Sequence, residues 1–339
     1  MAIIDKPSDY FNTLIWTGNG LTRSITGVNF QPDFTWIKKR SSADSHHVFD
    51  VVRGAGNRLL TDSTSAEYVG SNELTAFNSD GFTVSNNGAV NGSGGTYVGW
   101  SWLGGGTAVS NTAGSITSSV SANTDSGFSI CTYTGTGVSE TIGHGLGAVP
   151  NVIIVKGRSG PDAVDGWYIY HSSVGNTKFL ELNSTGASTT NSSLWDNTTP
   201  TSITFSTTYL SKASTNYVAY CFADTSMIKC GSYTGNGSTD GTFVYTGFKP
   251  AFVLRKSSSI AGYWNLHDNK RDTYNLAYLR LFPNENWSEA TSTDNSLDIL
   301  SNGFKCRATN TDTNGSGSTY IYLAIAEQSF VTSTTNGSI

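Results

Sequence analysis

Charge is scarce in this chain. Only 13% of its 339 residues are Asp, Glu, Lys or Arg, with 20 basic against 25 acidic and a net charge of −5, where globular domains carry about 25%. The few Lys and Arg form no basic cluster, which excludes the electrostatic footprint that nucleic-acid phosphates require. Long apolar runs are missing too. No stretch approaches the roughly 18 residues of a membrane helix. The start, MAIIDKPSDYF, has neither the basic opening nor the apolar run of a secretion signal. These absences predict a chain made in a cytoplasm, with no membrane insertion. Cysteine is rare: Cys131, Cys221, Cys230 and Cys306 form no CxxC pair and sit in strand-like phrases such as YVAYCFA. They read as buried reduced thiols rather than bridges or metal ligands. HExxH, P-loop, EF-hand and GxSxG patterns are all absent, so no cofactor is expected.

Polarity comes instead from Ser, Thr and Asn, beside 37 Gly. Such residues favour turns, while Thr, Tyr, Phe and Val suit pleated sheets. The 8 Trp, 16 Tyr and 16 Phe exclude a disordered chain, because they need a packed interior. The local period is two. In TYIYLAIA (319–326) both faces are apolar, which predicts a strand buried on both sides. SDGF and SNGF read as tight turns into strands. Short helices are expected only near Ser63–Tyr68 and Trp287–Thr291.

Three phrases recur in the same order. Aromatic-Thr-Gly-x-Gly occurs as WTGNG (16–20), YTGTG (133–137) and YTGNG (233–237). Pro32, Pro150 and Pro250 follow, each opening an apolar run that ends in a lysine: Lys38, Lys156 and Lys256. Short aromatic segments come next (HHVFD, GWYIYH, YWNLHD), and TYVGWSW, NYVAYCF and TYIYLAI close each copy. The pattern predicts an all-β chain of three tandem, diverged β-sandwich-like units, of about five to seven strands each. The expected boundaries are 1–106, 107–225 and 226–339, and a pseudo-threefold arrangement would suit them. The Gly- and Ser-rich stretch 104–127 reads as a linker or an exposed strand with turns. The prolines should begin equivalent strands, and Tyr97, Tyr217 and Tyr320 should be equivalently buried.

Candidate chemistry is thin. His171 and His267 end the aromatic segments, with Asp50 and Asp268 at corresponding places, and read as turn partners. The recurring lysines read as solvated strand ends, with a repeated contact between copies as the alternative. Sparse carboxylates mostly flank turns, where a few could bind Ca²⁺. Trp195, beside Asp196, and Trp287, beside Glu285 and Glu289, lie in polar, copy-specific segments. These tryptophans either plug the end of a sandwich or present a face that stacks on a sugar or a protein. Trp195, Asp196 and Trp287 are the candidate ligand contacts.

The phrases YFNTLIWTGNG, FQPDFTWIKKRS, VFDVVRGA, GHGLGAVPNVIIVK, YVAYCFA, GSYTGNGSTDGTFVYTGFKPAFVLRK and LSNGFKCRA together resemble a family of virion-associated, tail-fibre-like proteins of marine tailed phages. The resemblance spans about residues 8–335. It implies a non-enzymatic particle component located in the virion, with other virion proteins as partners and an oligomeric state in the particle. An appendage that binds a host-surface glycan is the first expectation. A capsid decoration protein is the alternative, and a polysaccharide-degrading enzyme the remote one.

Overall fold

The computed structural model describes residues 4–70, 72–161, 163, 165–196, 198–205 and 209–329. Antiparallel sheets dominate, and one pairing order occurs three times. In each segment an opening strand carries the aromatic-Thr-Gly phrase: Phe11–Thr17, Phe128–Thr134 and Ile228–Thr234. A proline strand follows: Phe34–Lys39, Val152–Ser159 and Phe248–Ser257. Next come an aromatic strand (His46–Asp50, Trp167–His171, Asn265–Asp268) and a closing strand (Thr96–Trp102, Asn216–Phe222, Thr319–Ser329). The spatial order is opening, closing, proline, aromatic in all three sheets. The closing strand is therefore central, which explains why it is apolar on both faces. Of the two readings of 104–127, linker or exposed strand with turns, the second holds: strands Val109–Asn111 and Ser118–Asn123 extend the edge of the second sheet.

The recurring phrase has a mechanical explanation. Its aromatic ring stacks on the first tyrosine of the closing strand: Trp16 on Tyr97 at 5.6 Å, Tyr133 on Tyr217 at 5.0 Å, and Tyr233 on Tyr320 at 5.0 Å between centroids. The three closing-strand tyrosines are buried alike. Each hydroxyl accepts an amide N–H from the preceding loop (Gly92, Lys212, Gly315) and donates to a carbonyl of that loop (Gly88, Tyr209, Thr311). The first glycine of the phrase lies against that loop. A Cβ on Gly135 would meet the Lys212 carbonyl at 2.5 Å, and one on Gly235 the Gly315 carbonyl at 2.4 Å. The second glycine has positive φ, at +70°, +89° and +65° for Gly20, Gly137 and Gly237, a conformation open to glycine at little cost.

Each large sheet faces a small sheet on its outer side. In the first segment Ile37 and Phe49 pack with Phe82 and Val84; in the second, Val155 and Tyr217 pack with Ile203 and Phe205. The inner faces share one core. Trp36, Val48, Trp100 and Trp102 meet Ile154, Ile169, Tyr220 and Phe222, and Leu254, Leu266, Leu323 and Ile325. The sandwich-like layering is therefore present, and the segments also pack against one another.

Three local expectations need correction. No helix forms at 63–68 or 287–291: Tyr68–Val69 is a strand, and Ala290 bridges to Arg280. Tertiary pairing overrides a weak local preference there. None of the three prolines begins its strand: Pro32 and Pro150 lie two residues ahead of Phe34 and Val152, and Pro250 lies inside its strand. The third proline strand starts at Phe248, and register shifts on both sides of Pro250 accommodate its missing N–H. The lysines are not solvated strand ends. Lys38, Lys156 and Lys256 are fully buried. Lys156 Nζ donates to the Thr64, Ala163 and Asp165 carbonyls, and Lys256 Nζ to those of Thr185, Gly186 and Ser257. Thr64 and Thr185 belong to the preceding segment, so Lys156 and Lys256 make contacts between segments, while Lys38 Nζ donates to the Lys39 carbonyl within its own. Desolvation lowers all three lysines to about 8.

Candidate interaction surface

The loop carrying Trp287 is held by a device that occurs twice. In the first segment Asp50 caps the Arg53 amide and pairs with Arg53 Nε at 2.5 Å; Arg53 Nη1 reaches Glu67 at 2.7 Å. Glu67 then takes a two-pronged contact from Arg158 of the second segment. In the third segment Asp268 pairs with Arg271, Arg271 with Glu289, and Glu289 with Arg40 of the first segment, again two-pronged at 2.9 and 2.8 Å. Each aspartate also receives a donor from a neighbouring closing strand: Tyr220 on Asp50 at 2.7 Å, and Trp100 on Asp268 at 3.0 Å. The third junction keeps the geometry without the charges. Ser188 N donates to the Ser258 carbonyl, as Glu67 N does to Arg158 and Glu289 N to Arg40. His171 stands in the aspartate position and meets the Tyr322 carbonyl at 3.2 Å. The contacts thus run from second to first, first to third, and third to second segment.

Glu289 ties down one end of the Trp287 loop. Two further bonds to the first segment hold it: Thr61 Oγ1 to the Pro283 carbonyl at 2.7 Å, and Asp44 N to the Asn286 carbonyl at 2.7 Å. Between these ties the Trp287 indole packs on Tyr263 at 5.0 Å and Phe282 at 5.4 Å, yet remains 44% exposed. Such a ring is preorganised as a stacking surface, because contact would not have to order the loop.

The other candidates fare differently. Trp195 is buried at 1% exposure, with its ring against Tyr170 and Phe205. It fills the space between the second segment's sheets, so as a surface contact it is corrected: of the two sequence readings, the plug is right. Asp196 is exposed next to it, its amide bonded to the Thr204 carbonyl. Trp195 and Asp196 lie in the second segment and Trp287 in the third, and their ring partners differ, so the structure does not gather them into one site. Glu285, on the Trp287 loop, is raised by burial and accepts a bond from Asn284. The ionic clasps escaped the sequence reading, although DVVR (50–53) and DNKR (268–271) share an Asp-x-x-Arg spacing that marks them.

Among the described residues no group of three or more His, Cys, Asp or Glu converges as a metal site. The four cysteines are buried and free. Among the described residues no helix is long and apolar enough to cross a membrane. A search of the curated proteins finds no match. Residues 6–329 match the family described as domain of unknown function DUF7483, and the chain belongs to that family.

Proposed function

We propose that this chain is a non-enzymatic structural component of a phage particle, a tail-associated appendage or adhesin that contacts a host-surface glycan through the Trp287 loop. The observation that carries this reading is a half-exposed indole on an aromatic base of Tyr263 and Phe282, in a loop tied to the neighbouring segment at three points. A single such platform binds weakly. Many copies on one particle make weak contacts effective. Two carboxylates flank Trp287 in sequence: Glu289 is held by Arg40 and Arg271, and Glu285 accepts a bond from Asn284. A glycosidase would need two functional carboxylates facing one bond.

Capsid decoration is the second reading, favoured by the cyclic contacts among three segments. A pseudo-threefold body suits a symmetric mounting point among other virion proteins. Counting copies per particle separates the two: a few to a few dozen at the tail mean an appendage, and hundreds over the head mean decoration. Binding of purified protein to host cells that is lost in Trp287→Ala supports the adhesin. Release of new reducing ends from host polysaccharide would overturn the non-enzymatic reading.

A further inference from the structure

The three segments differ sharply at one interior place. On the outer face of the large sheet, the first segment carries Ile37 and Phe49 and the second Val155 and Tyr170. The third carries Arg255 and His267 at the same register, and both are fully buried. Arg255 Nη2 donates to the Asn295 carbonyl at 2.9 Å and Nη1 to Cys306 Sγ at 3.5 Å, but its Nε has no partner. Neither ring nitrogen of His267 has one. The same holds for Arg280 Nε and Nη1, and for Asn295 Nδ2.

Backbone pairing gathers these groups. Arg255 lies opposite Asn265, and His267 opposite Val253, on the adjoining aromatic strand. The bridge between Leu266 and Leu281 sets Arg280 beside His267. The two guanidinium groups rest on Phe304 and Phe282. Among the described residues no carboxylate lies within ion-pair distance of Arg255 or Arg280; Asp312 and Asp294 act on Arg280 only at longer range. Arg271, by contrast, is satisfied by Asp268 and Glu289.

A buried donor left unbonded is destabilising, and an uncompensated buried charge is more so. Water could accept the hydrogen bonds but would leave two like charges facing each other in a poorly solvated interior. We infer that the third segment holds a small inorganic anion between its two sheets, bound by the guanidinium groups of Arg255 and Arg280 with N–H donors from His267 and Asn295. A surface concavity lined by Thr293, Asp294, Ser296 and Arg307 includes both chain neighbours of Asn295, and Ser296 Oγ is also unpartnered.

The test is thermal unfolding of the full chain at fixed ionic strength, with sodium gluconate replaced stepwise by chloride, bromide or inorganic phosphate. A saturable rise in midpoint is expected with at least one of them. A response to halides alone means a spherical ion; a response to phosphate alone means an oxyanion; both support the site. The rise should vanish in the double variant R255I/H267F, which installs the pair found in the first segment, and in R280M. Crystals of the unaltered chain grown with bromide provide a readout independent of variant folding: an anomalous peak within hydrogen-bond distance of Arg255 and Arg280. A rise that persists equally in the folded variants overturns the inference, as does the absence of both a saturable response and a bound ion in the crystal.

Discussion

Tyr220 of the second segment donates its hydroxyl to Asp50 Oδ2 of the first at 2.7 Å, and both residues are fully buried. The same carboxylate holds Arg53, so one oxygen joins a sheet, its neighbour and an ionic clasp. Tyr220→Phe removes one charge-assisted bond and should cost about 1–3 kcal/mol. Arg53→Met strands Asp50 and should cost about 3–5 kcal/mol. Urea unfolding of both variants checks the order; equal, small losses would mean that the clasp does not hold the junction.

The third junction is pH-sensitive where the others are ionic. His171 Nε2 donates to the Tyr322 carbonyl, and Nδ1 accepts the Ser173 amide. With Nδ1 accepting, the ring is neutral, and protonating Nδ1 breaks the second bond. Burial lowers its pKa to about 4. The unfolded chain then binds more protons than the native one between about 4 and the ordinary histidine value of about 6.5. Stability should fall by about 3 kcal/mol on acidification through that window, at about 1.4 kcal/mol per unit. Asp272, raised to about 6 by burial, opposes this trend. The measurement is thus the stability difference between the native chain and His171→Gln at each pH. That difference should shrink as pH drops from 6.5 to 4; a constant difference refutes the assignment.

The carbonyl-caged lysines act at the other end of the scale. Desolvation brings Lys156 and Lys256 to about 8. The unfolded chain holds more protons between about 8 and the ordinary lysine value of about 10.4, so stability should rise with pH across that range. Lys256→Met leaves the Thr185, Gly186 and Ser257 carbonyls without their donor and should cost about 1–3 kcal/mol at pH 7. Its unfolding free energy should also depend less on pH above 8 than that of the native chain.

Much of this architecture was legible because period and spacing record backbone pairing. The central place of the closing strands follows from TYIYLAIA being apolar on both faces, and the aromatic-Thr-Gly phrase marks a stacking pair and a close backbone approach. What could not be read is how the segments meet. A lysine at a strand end looks the same whether water or a neighbour's carbonyls receive it. Trp195 and Trp287 both sit among Ser, Asn and acidic residues, yet one lies under a small sheet and the other on an open loop. Chain neighbours do not reveal which strand folds over a side chain. Arg255 and His267 were visible as departures from Ile37 and Phe49, but only the burial of both gives the departure meaning.

The two tryptophans separate folding from recognition. Trp195 is sealed between Tyr170 and Phe205, so Trp195→Ala opens a large cavity and should cost about 3–5 kcal/mol. Trp287 already exposes 44% of its surface. Trp287→Ala forfeits only the half of the ring that covers Tyr263 and Phe282, which should cost about 2–3 kcal/mol, less than the Trp195 change. If the loop is a contact surface, the effects on host-cell binding should run the other way. Trp287→Ala should abolish adhesion by a protein that remains folded. Trp195→Ala, tested well below its lowered melting point, should retain it. Trp287→Phe keeps a stacking ring and should bind at reduced strength. Thermal melts and cell-binding titrations on the three variants read both axes together. Undiminished binding by Trp287→Ala would move the contact surface elsewhere and leave capsid decoration as the better reading.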